Sequence, residues 1–537
     1  MADKKPKAPK PPKEPKAPKK PKINKSIEEI LWDSANKLRG SVEPSEYKHV
    51  VLGLIFLKFA SDKYEERRAE IIAEGHTKHA DNVAFYTMKN VFYLPEESRW
   101  NVLIANAKQS GLPLRIDTAL SIVEKNNPAL KGALPDNYYS RLNLDVSKLA
   151  SLLDTINNID TQKDKEHDIV GRVYEFFLRK FAIAEGKGKG EFYTPKSIVN
   201  LITEMIEPFS GIIYDPCCGS GGMFVQSYKF IESHHGNDKN ISIYGQEAIT
   251  ATYKLAKMNL AIRGIPSNLG EIAASTFSND QHKTLKADFI MANPPFNQKD
   301  WRASDELTGD PRWSGYDVPP VSNANYGWIL HMVSKLSHNG VAGFLLANGA
   351  LNDPDVVSIR KQLIKTNLVE AIVVLPREMF YSTDISVTLW ILNKNKKART
   401  VEHNGEMVKY RDRPNEILFI DLRRWGSEYE KKFIQLTTDD IRKVADNYHN
   451  WQRVGHEKTY NNIPEYCYSA NLEEVEKNGY SFAPSKYIEF TDADSTIDFD
   501  KEMKRIRKEF KTLLAEEVKS QNELRDAFKG LGYEIKL

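Results

Sequence analysis

Cysteine is almost missing from this sequence: Cys217, Cys218 and Cys467 are three in 537 residues. So few thiols exclude a disulfide framework and imply a reducing, cytoplasmic setting. The adjacent pair Cys217-Cys218 lacks zinc-ligand spacing, and His234-His235 has no second ligand pair near it, so no metal site is expected. Long apolar runs are missing too. The longest of note, Val50–Leu57, ends at Lys58 and falls far short of the roughly 20 residues that a bilayer span needs, so no membrane role is expected. No apolar h-region accompanies the N-terminal lysines and prolines, which excludes a secretory signal. Neither a GxxxxGKS/T phosphate loop nor a nuclease constellation occurs, so translocation and cleavage are not expected of this chain.

Charge is plentiful but unevenly placed. The chain carries a formal +3, and residues 1–22 hold nine lysines against Asp3 and Glu14. That tail is +7, which leaves −4 for the remainder. A Lys/Pro/Ala tract cannot bury a core and reads as a disordered basic tail, either a solubilising segment or a source of sequence-independent attraction to nucleic acid.

From residue 23 the pattern is helical. Ser26 and Glu29 stand at capping-box spacing ahead of Ile27, Ile30, Leu31, Ala35 and Leu38, and Val50, Leu54, Leu57 and Ala60 continue at helical spacing. Residues 23–165 are read as a helical N-terminal domain without a catalytic constellation. Short β-rich runs then alternate with apolar helical segments: Gly211–Asp215, Ile241–Gly245, Ala287–Ala292, Val341–Leu346, Ala371–Leu375, Val387–Leu392 and Ile417–Asp421. This alternation predicts an α/β domain over 166–490, with a doubly wound, mostly parallel sheet that binds ligands at the carboxyl ends of its strands. Residues 491–537 are read as a helical tail, in which Met503, Ile506, Phe510 and Leu513 recur like a coiled-coil seam, either packed on its own domain or offered to a partner.

Three strand ends carry chemistry. The first runs into Asp215-Pro216-Cys217-Cys218-Gly219-Ser220-Gly221-Gly222 and a helix. Such a turn brings free amides close to a ligand, though by itself it serves nucleotides, sugars or plain packing alike. The second ends in Glu247, placed where ribose hydroxyls need an acceptor. The third ends in Asn293-Pro294-Pro295-Phe296, which the prolines make rigid. The Asn293 side-chain oxygen and the Pro294 carbonyl could accept both hydrogens of an exocyclic aromatic amine. That would draw its nitrogen toward tetrahedral geometry and free its lone pair, while Phe296 stacks on the base. A base handled in this way is out of the duplex.

In order, GEFYTP (190–195), DPCCGSGG (215–222), GQE (245–247) and ANPPF (292–296) resemble the DNA amino-methyltransferases. More closely, the chain resembles the modification subunit of type I restriction–modification systems, and the likeness extends over 30–67, 321–351 and 369–394. The resemblance implies a Rossmann-like fold, S-adenosyl-L-methionine as cofactor and adenine N6 in DNA as acceptor. It assigns cofactor contacts to Glu191, Phe192, Tyr193, Thr194, Pro195 and Lys196, and to Asp215, Gly219, Ser220, Gly221 and Gly222, with Glu247 on the ribose. Asn293, Pro294, Pro295 and Phe296 become the catalytic corner, and Asn at its first position favours adenine over cytosine. Ser275 stands where the family usually has Asp or Asn facing the cofactor's adenine.

The resemblance also implies partners: DNA, a separate DNA-specificity subunit and a restriction (translocase/nuclease) subunit, with two copies of this chain per complex. Two other readings remain open on the sequence. One is a methyltransferase acting on RNA or protein, where NPP-type corners also occur. The other is a scaffold with a degenerate fold, which the intact motifs oppose.

Overall fold

The computed structural model describes residues 27–36, 44–142, 144–158, 173, 175–177, 179–180, 194–380, 385–429, 433–490 and 499–530. The lysine tail, Ser26, and Glu191, Phe192 and Tyr193 of GEFYTP lie outside them.

The N-terminal part is helical. α1 (Ile27–Ala35), α2 (Pro44–Ala73), α3 (Leu112–Asn126) and α4 (Val146–Asn157) share one apolar core, which Val173 and Phe177 join. Helical spacing places Val50, Leu54, Leu57 and Ala60 on one face of α2, yet Val51, Leu52, Ile55 and Phe56 are buried as well. This helix is surrounded by its neighbours and has no polar face in that stretch. Its Gly53 permits a close approach: a Cβ there would lie 2.6 Å from the Tyr139 hydroxyl. That hydroxyl donates to the Val50 carbonyl at 2.6 Å.

Helix and strand then alternate. In order come α5 (Lys196–Ile206), β1 (Gly211–Asp215), α6 (Gly222–Ser233), β2 (Ile241–Gly245), α7 (Thr250–Ile262), β3 (Ser267–Asn268) and β4 (Ala287–Ala292). They are followed by α8 (Asn325–Lys335), β5 (Leu336–Ala347), α9 (Val357–Lys365), β6 (Val369–Val374) and β7 (Val387–Asn393). After the hairpin β8 (Arg399–His403) and β9 (Glu406–Tyr410) come β10 (Glu416–Asp421), the hairpin β11 (Ser427–Tyr429) and β12 (Phe433–Gln435), α10 (Thr438–Gln452) and β13 (Cys467–Asn471). α7 lends Leu255 and Met258 to the N-terminal core, so the helical and α/β parts share apolar packing.

Nine strands form one sheet in the order β13-β10-β6-β7-β5-β4-β1-β2-β3. The expected parallel pairing runs from β3 through β2, β1 and β4 to β5, and joins β6 to β10. β7 departs from it and is antiparallel to both β5 and β6. No described helix separates β6 from β7, so the chain turns straight back, whereas a parallel return needs a crossover. The edge strand β13, the short β3 and the two hairpins carry no apolar run of the kind that marked the others, and the sequence did not announce them. One face of the sheet is covered by α5, α6 and α10, the other by α8 and α9.

α11 (Phe499–Gly530) follows, with Met503, Ile506, Phe510 and Leu513 all exposed along it. No helix among the described residues is long and apolar enough to cross a membrane.

Both β6 and β7 are buried along their whole length, and one charge sits among their apolar residues. Glu370 is fully buried with Arg413, whose Nε donates to Oε1 at 2.9 Å. Glu370→Leu would leave that guanidinium buried without a counter-charge. We expect a loss of about 3–5 kcal/mol in unfolding free energy, measured by urea denaturation; a loss below about 1 kcal/mol would contradict the pairing.

Candidate active site

Parallel strands end at the same rim of a sheet, and β1 pairs in parallel with both β2 and β4. The chain order reverses at β1/β4, the place where open α/β sheets bind ligands. Both motifs that the sequence marks for chemistry, the glycine turn after β1 and the corner after β4, therefore stand side by side.

The turn is locked to the end of β2. Gln246 N donates to Asp215 O at 3.0 Å, and Cys218 N donates to Gln246 O at 2.9 Å. The Asp215 carboxylate accepts the Cys217 amide at 3.0 Å. Glu247 accepts Gly219 N at 3.1 Å through Oε2 and Ile249 N at 2.8 Å through Oε1. Asn259 of α7 holds the Ser220 carbonyl at 2.7 Å. Gly221, with φ 79°, caps α6 in the left-handed region that favours glycine. A Cβ on Gly222 would meet nothing within 4 Å, so the backbone there faces open space.

Asp215 and Glu247 are both buried, and burial raises both acids. Asp215 is pushed up to about 7, first by burial and then by the Glu247 charge beside it. Asp215 lines the pocket between the two motifs, whereas Glu247 lies behind the glycine turn with both oxygens on backbone amides. A desolvated carboxylate in a pocket wall favours a cationic ligand.

At the corner, Asn293 Nδ2 donates to Thr194 Oγ1 at 3.0 Å, joining residues 99 apart in sequence. Asn293 Oδ1 is buried and has no partner among the described residues. No described group donates to the Pro294 carbonyl either. Thr194 thus fixes the amide with its oxygen free. The corner is anchored behind: Asn297 N donates to Asn325 Oδ1 at 3.1 Å, and Asn325 Nδ2 returns a bond to Asn297 Oδ1 at 2.9 Å. The Phe296 ring meets Phe380, from the loop after β6, edge to face at 5.7 Å.

A pocket open to solvent links the two motifs. Thr194, Lys196, Asp215, Gly219, Ser220, Gly222 and Asn293 line it, together with Glu175 and Asn259, which the sequence did not single out. Pro195 precedes α5 as its cap residue, beside Thr194. The segment carrying Ser275 lies against the β2 end: Ala274 N donates to Glu247 O at 2.9 Å, and Ser275 is half-buried. Asn259, Asn297, Asn325 and Phe380 had no signal of their own, because isolated amides and a single aromatic are common. Only the position of each in the fold makes it part of the site.

Comparison with known proteins gives the family. Residues 165–496 match the family described as N-6 DNA Methylase, and residues 27–156 match the HsdM N-terminal domain. The chain is 40% identical over 463 residues to the Type I restriction enzyme HindI methylase subunit of Haemophilus influenzae, covering 82% of this chain and 100% of that one. It is 34% identical over 532 residues to the MjaIX methylase subunit of Methanocaldococcus jannaschii, covering 95% and 92%. Among solved structures, the type I restriction-modification system methyltransferase subunit from Streptococcus thermophilus superposes with a TM-score of 0.68. Its identity is 23%, and the match covers 86% of this chain and 99% of that one, a likeness of fold. The strand-end acid, the glycine turn and the free Asn293 oxygen thus sit in a chain that belongs to the N-6 DNA methylase family, as an adenine-N6 DNA methyltransferase of the type I modification-subunit kind.

Proposed function

We propose that the pocket holds S-adenosyl-L-methionine and that the Asn293 corner presents the N6 amino group of a flipped-out adenine to it. One observation carries this reading. Asn293 Oδ1 is buried without a partner among the described residues, while Thr194 fixes the other end of its amide. A buried acceptor left unpaired costs about 1–3 kcal/mol, and a donor-bearing ligand recovers that loss.

The residues fit the cofactor. The acid pair Asp215 and Glu247 complements its positive charge, the open backbone at Gly222 leaves room for it, and Glu247 can receive the ribose hydroxyls. Thr194, Pro195 and Lys196 at the start of α5, with Gly219, Ser220 and Gly221, are the proposed contacts of its methionine end; Glu191, Phe192 and Tyr193 are assigned to it by sequence alone. When bound, the cofactor supplies a methyl group on an electron-poor sulfur.

The chain's own residues do the rest. Asn293 Oδ1 and the Pro294 carbonyl accept the two N6 hydrogens, which turns the nitrogen lone pair out of conjugation. The same oxygens stabilise the positive charge that N6 gains as the new bond forms. Neither is basic enough to keep a proton, so the surplus N6 proton passes to solvent. Pro294 and Pro295 hold the acceptors in place, and Phe296, backed by Phe380, offers a ring face to the base.

The described residues offer no groove-reading module, and the body without its tail is net −4. We therefore place this chain in a complex with a separate DNA-specificity subunit and a restriction subunit, two copies of the chain per complex. The exposed seam of α11, at Met503, Ile506, Phe510 and Leu513, supports a helical contact with the specificity subunit.

In single-turnover assays on the assembled complex, Asn293→Ala should lower methyl transfer to target DNA by about 100-fold or more, with cofactor affinity nearly unchanged. Near-normal transfer would refute the acceptor role.

Cofactor binding should also depend on pH. Asp215 titrates at about 7 because burial raises it, and a cation beside it favours its ionised form. Below that pH the proton must leave on binding. Affinity should therefore rise between about pH 6 and pH 8, with proton release detected by calorimetry in buffers of different ionisation heat, and Asp215→Asn should flatten the profile. A flat wild-type profile would contradict it.

A further inference from the structure

Glu175 lines the cofactor pocket but belongs to a different part of the fold. It lies between Val173 and Phe177, both buried in the N-terminal helical core. Its Oε1 accepts Lys229 Nζ of α6 at 2.9 Å and the Arg263 NH2 group, just beyond α7, at 3.4 Å. Arg263 also bonds the Asn259 carbonyl at 2.9 Å through NH1, and Asn259 holds the Ser220 carbonyl at 2.7 Å. An unbroken chain of polar contacts thus runs from the helical core to the glycine turn. The second carboxylate oxygen, Oε2, has no partner among the described residues, and the side chain is 26% exposed.

We propose that Glu175 Oε2 accepts the α-ammonium of the cofactor's methionine end, so that the N-terminal helical part completes the cofactor site. The proposal rests on the reading of this pocket as the S-adenosylmethionine site. Of the cofactor's two cationic groups, the sulfonium has no hydrogen to donate, whereas the ammonium has three. Lys229 and Arg263 occupy Oε1 and hold the carboxylate in place, which leaves Oε2 directed to a ligand. The cofactor's own carboxylate would be repelled there. Its complement is Lys196, also in the pocket lining, at the start of α5. Bound cofactor then ties the helical core to the β1 turn, and each strengthens the position of the other.

The test is calorimetry on the full-length chain with S-adenosylhomocysteine and with its analogue in which hydrogen replaces the α-amino group. In the wild type the analogue should bind about 10- to 100-fold more weakly. Glu175→Gln should lose a similar factor for S-adenosylhomocysteine and almost nothing further for the analogue, so that the ratio between the two falls toward one. Glu175→Asp, which keeps the charge on a shorter arm, should give an intermediate ratio. Lys229→Met, which removes one support and leaves the carboxylate, should keep most of it. A merely structural role for Glu175 would weaken both ligands alike, and a ratio unchanged from wild type in Glu175→Gln and Glu175→Asp overturns the proposal. Such a result would leave the pocket assignment standing. Failure of the wild type to bind S-adenosylhomocysteine and S-adenosylmethionine would instead remove the pocket assignment, and this proposal with it.

Discussion

The parallel pairing of β1 with β4 is the constraint from which the site follows. Ile213 faces Phe289 and Tyr214 faces Ile290 across that pair. Neighbouring strands lie roughly 4.8 Å apart, so whatever follows one strand is held a few ångströms from whatever follows the other. Asp215 and its glycine turn follow β1, and Asn293 and its prolines follow β4. The two motifs proposed to hold methyl donor and methyl acceptor are thus brought together by the backbone ladder. The layers on both faces keep that ladder dry, and β2 on the far side of β1 brings Glu247 to the same rim.

Around this rim the protein accepts local instability. Asn293 Oδ1 is buried and unpaired among the described residues, and Asp215 and Glu247 are both desolvated beside each other. Each is unfavourable by itself, and on the proposed function each would gain from a ligand: an amine hydrogen for the amide, positive charge for the acids. The surroundings oppose relaxation. Thr194 holds the other end of the Asn293 amide, Pro294 and Pro295 restrict the backbone, and the Asn297–Asn325 pair fastens the corner to α8. Preorganisation of this kind places the acceptors before the reaction needs them.

Much of this was legible in the sequence, and the limits have physical causes. Buried strands such as β1, β4, β6 and β7 are largely apolar runs, and rigid or glycine-rich punctuation marks where they end, so the strands and the motifs at their ends could be located from the sequence. Strand direction could not. β7 runs antiparallel because of a short return, and a run of Val, Thr, Leu and Trp looks the same in either direction. The hairpins β8–β9 and β11–β12 are short and largely polar, without the periodicity that reveals a half-buried strand. At the candidate site, Asn293 and Glu247 could be singled out because they sit inside compact motifs. Glu175, Asn259 and Asn325 were not, because the contacts that define them come from helices far away in sequence, and no local pattern encodes such contacts.

The most direct test of the central claim is base-resolution mapping of N6-methyladenine in genomic DNA from cells carrying the wild-type chain, no chain, or Asn293→Ala, with all other subunits intact. The account predicts one defined sequence methylated at adenine N6 in the first, and that modification lost in both of the others. Persistence of the same methylated sequence with Asn293→Ala, or no difference between the first two, would contradict it.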